Sequence, residues 1–311
     1  MGRKSVPITS PQIAGKLTAE EGKKLHWVPH VLDFARRELG LDPGDSYQTF
    51  LDTGGKPVTY AVTASHPLAL IPYQWSFPFV GAVPYKGYFD REDAVAEATR
   101  LRNKGFEATV IPVSAFSTLG WFQDPVTSTM IAGSLADLID TLIHETTHRT
   151  LYFAGASTFN ESLATHVARQ GTRLFLASRD DLRPLLADYE AGREAARERE
   201  DLLLRLHDDL DALYRSNLTT AEKLARKAEV FRTASAAAGR LHPGAPPLPA
   251  SNASLLSIAR YHEHEPLLRK LEEARGGRVA DLVSYLKTLP AGEDPVAASE
   301  QEIARQGHPR A

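Results

Sequence analysis

The sequence predicts an α+β fold: a small mixed or antiparallel sheet in the N-terminal half, a central pair of helices, and a largely helical C-terminal half. Three observations lead there. Short runs rich in Val, Ile and aromatics alternate with helical patterns up to about Phe116, as in a small sheet covered by helices. From residue 134 onward apolar residues recur mostly at helical spacing. The 311 residues suffice for one enlarged domain or two modest ones.

Residues 18–39 read as a helix, with Leu25, Val28, Leu32, Ala35 and Leu39 on one face. Pro29 predicts a break or kink inside it, and Gly40 with Pro43-Gly44 predicts its end. Gly54-Gly55 marks a turn before a strand at 58–63. Residues 68–90 favour extended structure, but their prolines restrict them to short, edge or bulged strands. A helix over 90–104 has an acidic first turn, a basic last turn and Gly105 as terminator. A strand follows over 106–116, where Pro112 sits poorly in a central position. An edge position would tolerate it, leaving the strand either as scaffold or as a partner for an extended peptide.

Helical patterns then cover 134–152 and 159–170, and nearly everything beyond Gly171. The charged stretch at about 183–214 alternates acids and bases. It reads as a solvated helix burying Leu203, Leu206, Leu210 and Leu213, not as a nucleic-acid or membrane face. A Pro-rich linker at 242–252 precedes further helical patterns at 254–274 and 279–289. The expected organisation is a core at 18–170, a helical portion at 171–290 packed on it, and a flexible polar tail at 291–311.

Composition narrows the function classes. With 36 Lys and Arg against 39 Asp and Glu, the net charge of -3 provides no basic field, so no nucleic-acid partner is expected. No run approaches the ~20 apolar residues that span a bilayer, and the first residues lack the apolar region of a signal peptide. The absence of cysteine excludes disulfides, thiolate metal sites, iron–sulfur ligation and cysteine nucleophiles. Any metal must therefore be held by nitrogen and oxygen.

The strongest chemical signal is His144-Glu145-Thr146-Thr147-His148. On a helix, this HExxH spacing brings two imidazoles to one face as metal ligands, and the glutamate can act as base toward an activated water. Ser134 and Asp137 have capping-box spacing at the start of that helix, and Leu135, Leu138, Ile139, Leu142 and Ile143 form an apolar stripe opposite the histidines. Glu161 follows a short connection containing Gly155. It is either the third ligand of a His2Glu set or, through Thr158, a cap of its own helix. His166 is the rival donor. One Zn2+ per chain is the expected cofactor, with a peptide or protein as substrate.

TLGWFQDPV at 118–126, LIHETTHRTLY at 142–152 and TFNESLATHVARQG at 158–171 resemble a family of predicted zinc aminopeptidases from bacteria. YKGYFD at 85–90 and ELGLDPGDSY at 38–47 extend the resemblance, which spans about residues 20–290. It implies a gluzincin-like metallopeptidase with a zincin-like helix pair, carrying HExxH and NExxA at 160–164. Carried over, His144, His148 and Glu161 are zinc ligands, Glu145 is the catalytic base, and Asn160 orients the turn beside the third ligand. The implied activity is zinc-dependent hydrolysis of peptide bonds. An amine-anchoring GAMEN motif is absent, so aminopeptidase and endopeptidase action both stay open. Such proteins commonly look like envelope lipoproteins. That implies the cell envelope or periplasm if a leader precedes this chain, and the cytoplasm otherwise.

Several side chains are candidates to assist. Tyr152, Tyr85, Tyr88 and His166 could donate to an oxyanion. Asp140, four residues before His144, could orient its imidazole. Asp137 is better explained as a cap. Asp124 could stabilise the loop before the helix, and Trp121 and Phe122 could wall the cleft. The alternative reading keeps the scaffold as a catalytically weak or inactive peptide-binding protein.

Overall fold

A computed structural model describes residues 5–15, 17–78, 81–113, 123–241, 243–244 and 246–306. The chain opens with β1 (Val6–Pro7), α1 (Pro11–Ala14), α2 (Ala19–Glu38), β2 (Thr49–Leu51) and β3 (Thr59–Ser65). Next come β4 (Trp75–Phe77), β5 (Gly81–Val83), β6 (Lys86–Tyr88), α3 (Arg91–Asn103) and β7 (Glu107–Val113). The central part contains β8 (Val126–Thr127), α4 (Ser128–Ile131), α5 (Leu135–Thr150) and α6 (Ser157–Ala177). Helices complete it: α7 (Arg183–Arg215), α8 (Thr220–Leu241), α9 (Asn252–Ala259), α10 (Glu265–Ala274), α11 (Val279–Leu286) and α12 (Pro295–Gln306). This is the α+β class expected, with small sheets early and helices late. No described helix is long and apolar enough to cross a membrane.

The chain divides into two units that interleave along the sequence. The first contains 1–58, 113–189 and 263–311; the second contains 59–112 and 190–262. No division falls at residue 170, because α6 runs unbroken through it.

In the first unit, β2 pairs antiparallel with β1 and parallel with β8, which delivers the chain to α4 and α5. Its core joins Val28, Leu32 and Ala35 of α2, Leu138, Ile139, Leu142 and Ile143 of α5, Leu163 and Phe175 of α6, and Leu268, Leu271, Leu282 and Val283 of α10 and α11. Each such fully buried Leu or Ile contributes about 2 kcal/mol of burial free energy. Thr18 caps α2 through a capping box with Glu21. Of the break or kink predicted at Pro29, the break does not occur: the helix is continuous, with Pro29 on its exposed side and Val28, Val31 and Leu32 buried around it. Burial on both sides of the proline offsets the hydrogen bond it removes.

Helices α5 and α6 pair antiparallel: Ile143 meets Gly171, and His148 meets Glu161. Gly171 terminates nothing. A Cβ there would lie 2.7 Å from Leu39 Cδ1 and 3.0 Å from Ile143 Cδ1. Gly171→Val is therefore expected to destabilise the protein by about 1–3 kcal/mol through overpacking. By contrast Gly192→Ala, with open space around the new Cβ, should stabilise by about 0.5–1 kcal/mol. Urea unfolding of both variants checks the pair; equal midpoints would show that Gly171 has no packing role.

Most of the polar stretch at 291–306 forms one more helix. Residues 295–306 form α12 and bury Ala298, Ser299 and Glu302. Its polar groups are satisfied internally: Ser299 Oγ donates to the Pro295 carbonyl at 2.6 Å, and Arg275 donates to Glu302 at 2.8 Å. Apolar periodicity alone misses a helix held this way. The pattern at 254–274 is likewise two helices, since Pro266 sits in the first turn of α10 and cannot continue α9.

The second unit holds a three-stranded sheet in the order β6-β3-β7 and the hairpin β4-β5. Pro112 lies in β7, an edge strand of its sheet, where a missing N–H is tolerated. The predicted residues 114–116 of that strand lie outside the described residues. Val62, Ala64, Trp75, Ala94, Ala98 and Leu101 form one core of this unit. Leu202, Leu203, Leu206 and Leu210 of α7 form another with Phe231, Leu248 and Leu255. Leu213 is only half-buried. Leu248 lies in the Pro-rich segment, which is anchored by it.

Candidate metal centre

Two local signals build α5. The Ser134 side chain accepts from Asp137 N–H while the Asp137 carboxylate accepts from Ser134 N–H, a complete capping box. Leu138, Ile139, Leu142 and Ile143 are fully buried on one side. That burial fixes the rotation of the helix, and with it the direction of His144 and His148, one turn apart. Their rings lie 4.7 Å apart at 85°, with Nε2 to Nε2 at 3.1 Å.

Glu161 of α6 completes the cluster. Its Oε2 is 3.3 Å from His148 Nε2 and 3.4 Å from His144 Nε2. It does not cap α6, whose N-cap is Ala156 and carries no side-chain cap bond. His144, His148 and Glu161 thus offer three ligand atoms within 4.8 Å of one another, suited to a metal ion. The spacing fits a small tetrahedral cation. Bonds of about 2.0–2.1 Å separate neighbouring donors by about 3.3–3.4 Å in that geometry. Two nitrogens and one oxygen, with no thiolate, suit a borderline divalent ion.

The connection between the helices is braced by Asn160. Its carboxamide accepts from Phe153 N–H at 2.9 Å and donates to the Phe153 carbonyl at 2.8 Å. Gly155 turns the chain at φ +79°. Asn160 is buried and adjacent to Glu161, so this pair of hydrogen bonds ties the turn to the start of α6.

Electrostatics link the cluster to Glu145, which is buried and not one of the three donors. Burial raises the Glu145 carboxyl, with the charges of Glu161 and Asp124 adding to it and those of the two histidines opposing. Burial alone would depress His144; the hydrogen bond to Glu161 and the charges of Glu145, Glu161 and Asp140 outweigh it and raise the imidazole. For Glu161, burial is overcome by His148 and His144, which hold its carboxyl far below the usual range.

A residue the sequence reading did not select lies beside this group. Tyr47 is buried and has φ +64°, the one positive φ at a non-glycine among the described residues. Such backbone costs about 1–2 kcal/mol and persists where its surroundings over-determine it. Here Tyr47 N–H donates to the Asp124 carbonyl at 2.6 Å. Burial, then the charges of Glu145 and Asp124, push its phenol well up. The loop leading to it follows the end of α5: Asp42 N–H donates to Thr150 Oγ1 at 2.8 Å, and the Arg149 guanidinium lies against Gly44. Pro43-Gly44 reads locally as a helix stop, and nothing in the spacing signals the distant helix it meets.

The remaining candidates separate clearly. Tyr152, half-buried at the end of α5, has its phenol raised by burial and by the charge of Glu161. His166 is bound at both ring nitrogens, Nδ1 to Glu265 at 3.1 Å and Nε2 to Glu272 at 2.6 Å. Tyr85 and Tyr88 belong to the second unit, the first beneath the Arg260 guanidinium and the second beneath the Lys86 ammonium. Asp140 accepts from the Tyr189 hydroxyl at 3.0 Å and adds its charge to His144. Asp137 is the cap of α5. Asp124 is buried, its N–H directed at Ser46 Oγ at 3.4 Å. Trp121 and Phe122 lie outside the described residues.

A family model described as "Putative aminopeptidase" matches residues 3–300. No curated protein and no solved structure matches the chain.

Proposed function

From the premise that the chain belongs to the putative aminopeptidase family, we propose that it is a zinc-dependent peptidase acting on peptide N-termini. The observation that carries this reading is the convergence of His144, His148 and Glu161 within 4.8 Å, with the buried carboxylate of Glu145 one residue from His144. His144, His148 and Glu161 would hold the metal. Bound there, zinc supplies Lewis acidity toward a water and a substrate carbonyl.

The chain's own groups do the rest. Glu145 accepts the proton of the attacking water and returns it to the leaving amine. Its raised carboxyl makes it a better proton acceptor than an ordinary glutamate. Tyr152 donates to the developing oxyanion. It is favoured over the other donors because its phenol is half-exposed and feels the charge of Glu161, whereas His166 is engaged at both nitrogens. Asn160 holds the turn between ligand helices and so keeps Glu161 in register.

Digestion of a peptide library by the zinc-loaded chain, with products mapped by mass spectrometry, tests the proposal. Release of single N-terminal residues that stops on chelation is expected; internal cleavage would overturn the aminopeptidase assignment, and no cleavage the peptidase reading. Tyr152→Phe should lower kcat by about 10²-fold with KM little changed. Unchanged kcat in that variant removes Tyr152 as the donor.

A further inference from the structure

We propose that His26 and His30 form a second, surface metal site: a bidentate imidazole chelate for a late first-row divalent cation, Cu2+ before Ni2+. Both are exposed on α2, four residues apart, and neither ring makes a hydrogen bond or ion pair with a described residue. Their rings are 5.2 Å apart at 63°, against 4.7 Å at 85° for His144 and His148, which have the same spacing on a helix.

The pair stands on a rigid base. Leu25, Val28 and Leu32 bury the opposite side of the helix. Trp27, between the two, sits edge-on to Phe175 of α6 at 6.1 Å, with the Arg179 guanidinium 5.2 Å from its ring. The imidazoles rest on that anchored indole, at 5.9 Å for His26 and 5.5 Å for His30. Less side-chain freedom is therefore lost when a metal bridges them. Asp33, the next group on this side, is engaged by Arg37 at 3.0 Å, so the chelate is two nitrogens with open positions. Two imidazoles without a thiolate or supporting carboxylate favour copper, by the general order of divalent affinities.

Trp27 supplies the readout, since a paramagnetic ion held by the neighbouring rings quenches its fluorescence. Cu2+ is titrated into the zinc-loaded full-length chain, following bound copper per chain and tryptophan emission. Wild type should bind one more copper than His26→Gln/His30→Gln and lose emission as it does so. Each single variant should weaken that copper roughly 10²-fold, because chelation makes the second contact intramolecular. Trp27→Phe should keep the copper and lose most of the quench. Equal copper and equal quench in wild type and the double variant overturn the site. So do single variants that each lose half of the effect, which is the signature of two independent imidazoles. All four variants are surface or half-buried substitutions, and none touches the His144 cluster.

Discussion

Glu145→Gln is expected to lose turnover by about 10²–10⁴-fold while keeping its zinc. Glutamine has the same size and shape but cannot take a proton from water. Metal content should persist because the three converging donors are His144, His148 and Glu161, and Glu145 is not among them. The effect on folding should be small or favourable. Glu145 is buried, and burial is the main influence raising its carboxyl, so a neutral amide relieves a desolvation cost. Low kcat, one zinc per chain and an unchanged or higher Tm should therefore appear together, measured by peptide assay, metal analysis and thermal unfolding. Activity within a few-fold of wild type would remove Glu145 as the base. Loss of zinc with loss of activity would instead place it among the ligands.

Stability is expected to fall as pH rises from about 6.5 to about 9, and His166→Gln should remove the share of that fall that His166 supplies. His166 is 1 % exposed, with Nδ1 3.1 Å from Glu265 and Nε2 2.6 Å from Glu272; against two ionised carboxylates both nitrogens donate, as the doubly protonated imidazolium. Burial opposes that charge, but the two carboxylates outweigh it and raise the imidazole to about 9. A group whose folded pKa lies above its unfolded value stabilises the fold fully below the unfolded value, and ceases to as pH passes the folded one. On the acid side the sign reverses. Glu265, also opposed by burial, is drawn down to about 2 by His166 and the nearby Arg169 and Arg269. Its contribution is present above the ordinary glutamate range and is lost as pH falls toward 2. The cluster is thus at full strength between about pH 4.5 and 6.5. The alkaline loss is on the order of 3 kcal/mol. Urea unfolding in chelator, wild type against His166→Gln from pH 6 to 9.5, isolates this contribution from metal binding. Parallel curves for the two proteins would show that His166 stays neutral.

This cluster also shows why His166 was ambiguous as a sequence position. Five residues after Glu161 on the same helix, it is a reasonable metal donor until α10 is in place. Its partners arrive 99 and 106 residues later, and no local pattern announces them. The opposite holds for α5, where the capping box, the apolar stripe and the histidine spacing all act within a few turns of one helix. Glu161 is intermediate. The short connection allowed it to be either ligand or cap, and the helix start at Ser157 leaves it in the interior, facing the histidines.

The sequence by itself determined the α+β class, the rotation and the start of α5, and the spacing that brings His144 and His148 together, because caps and helical periodicity work over about one to three turns. Only the tertiary structure decided the rest. It took Tyr47, in a left-handed backbone conformation, to the neighbourhood of Glu145; it engaged His166 with two distant carboxylates; and it held α12 through paired polar side chains. Each of these rests on a contact between segments far apart along the chain, where the energy depends on which groups meet after packing and not on what stands beside them in sequence.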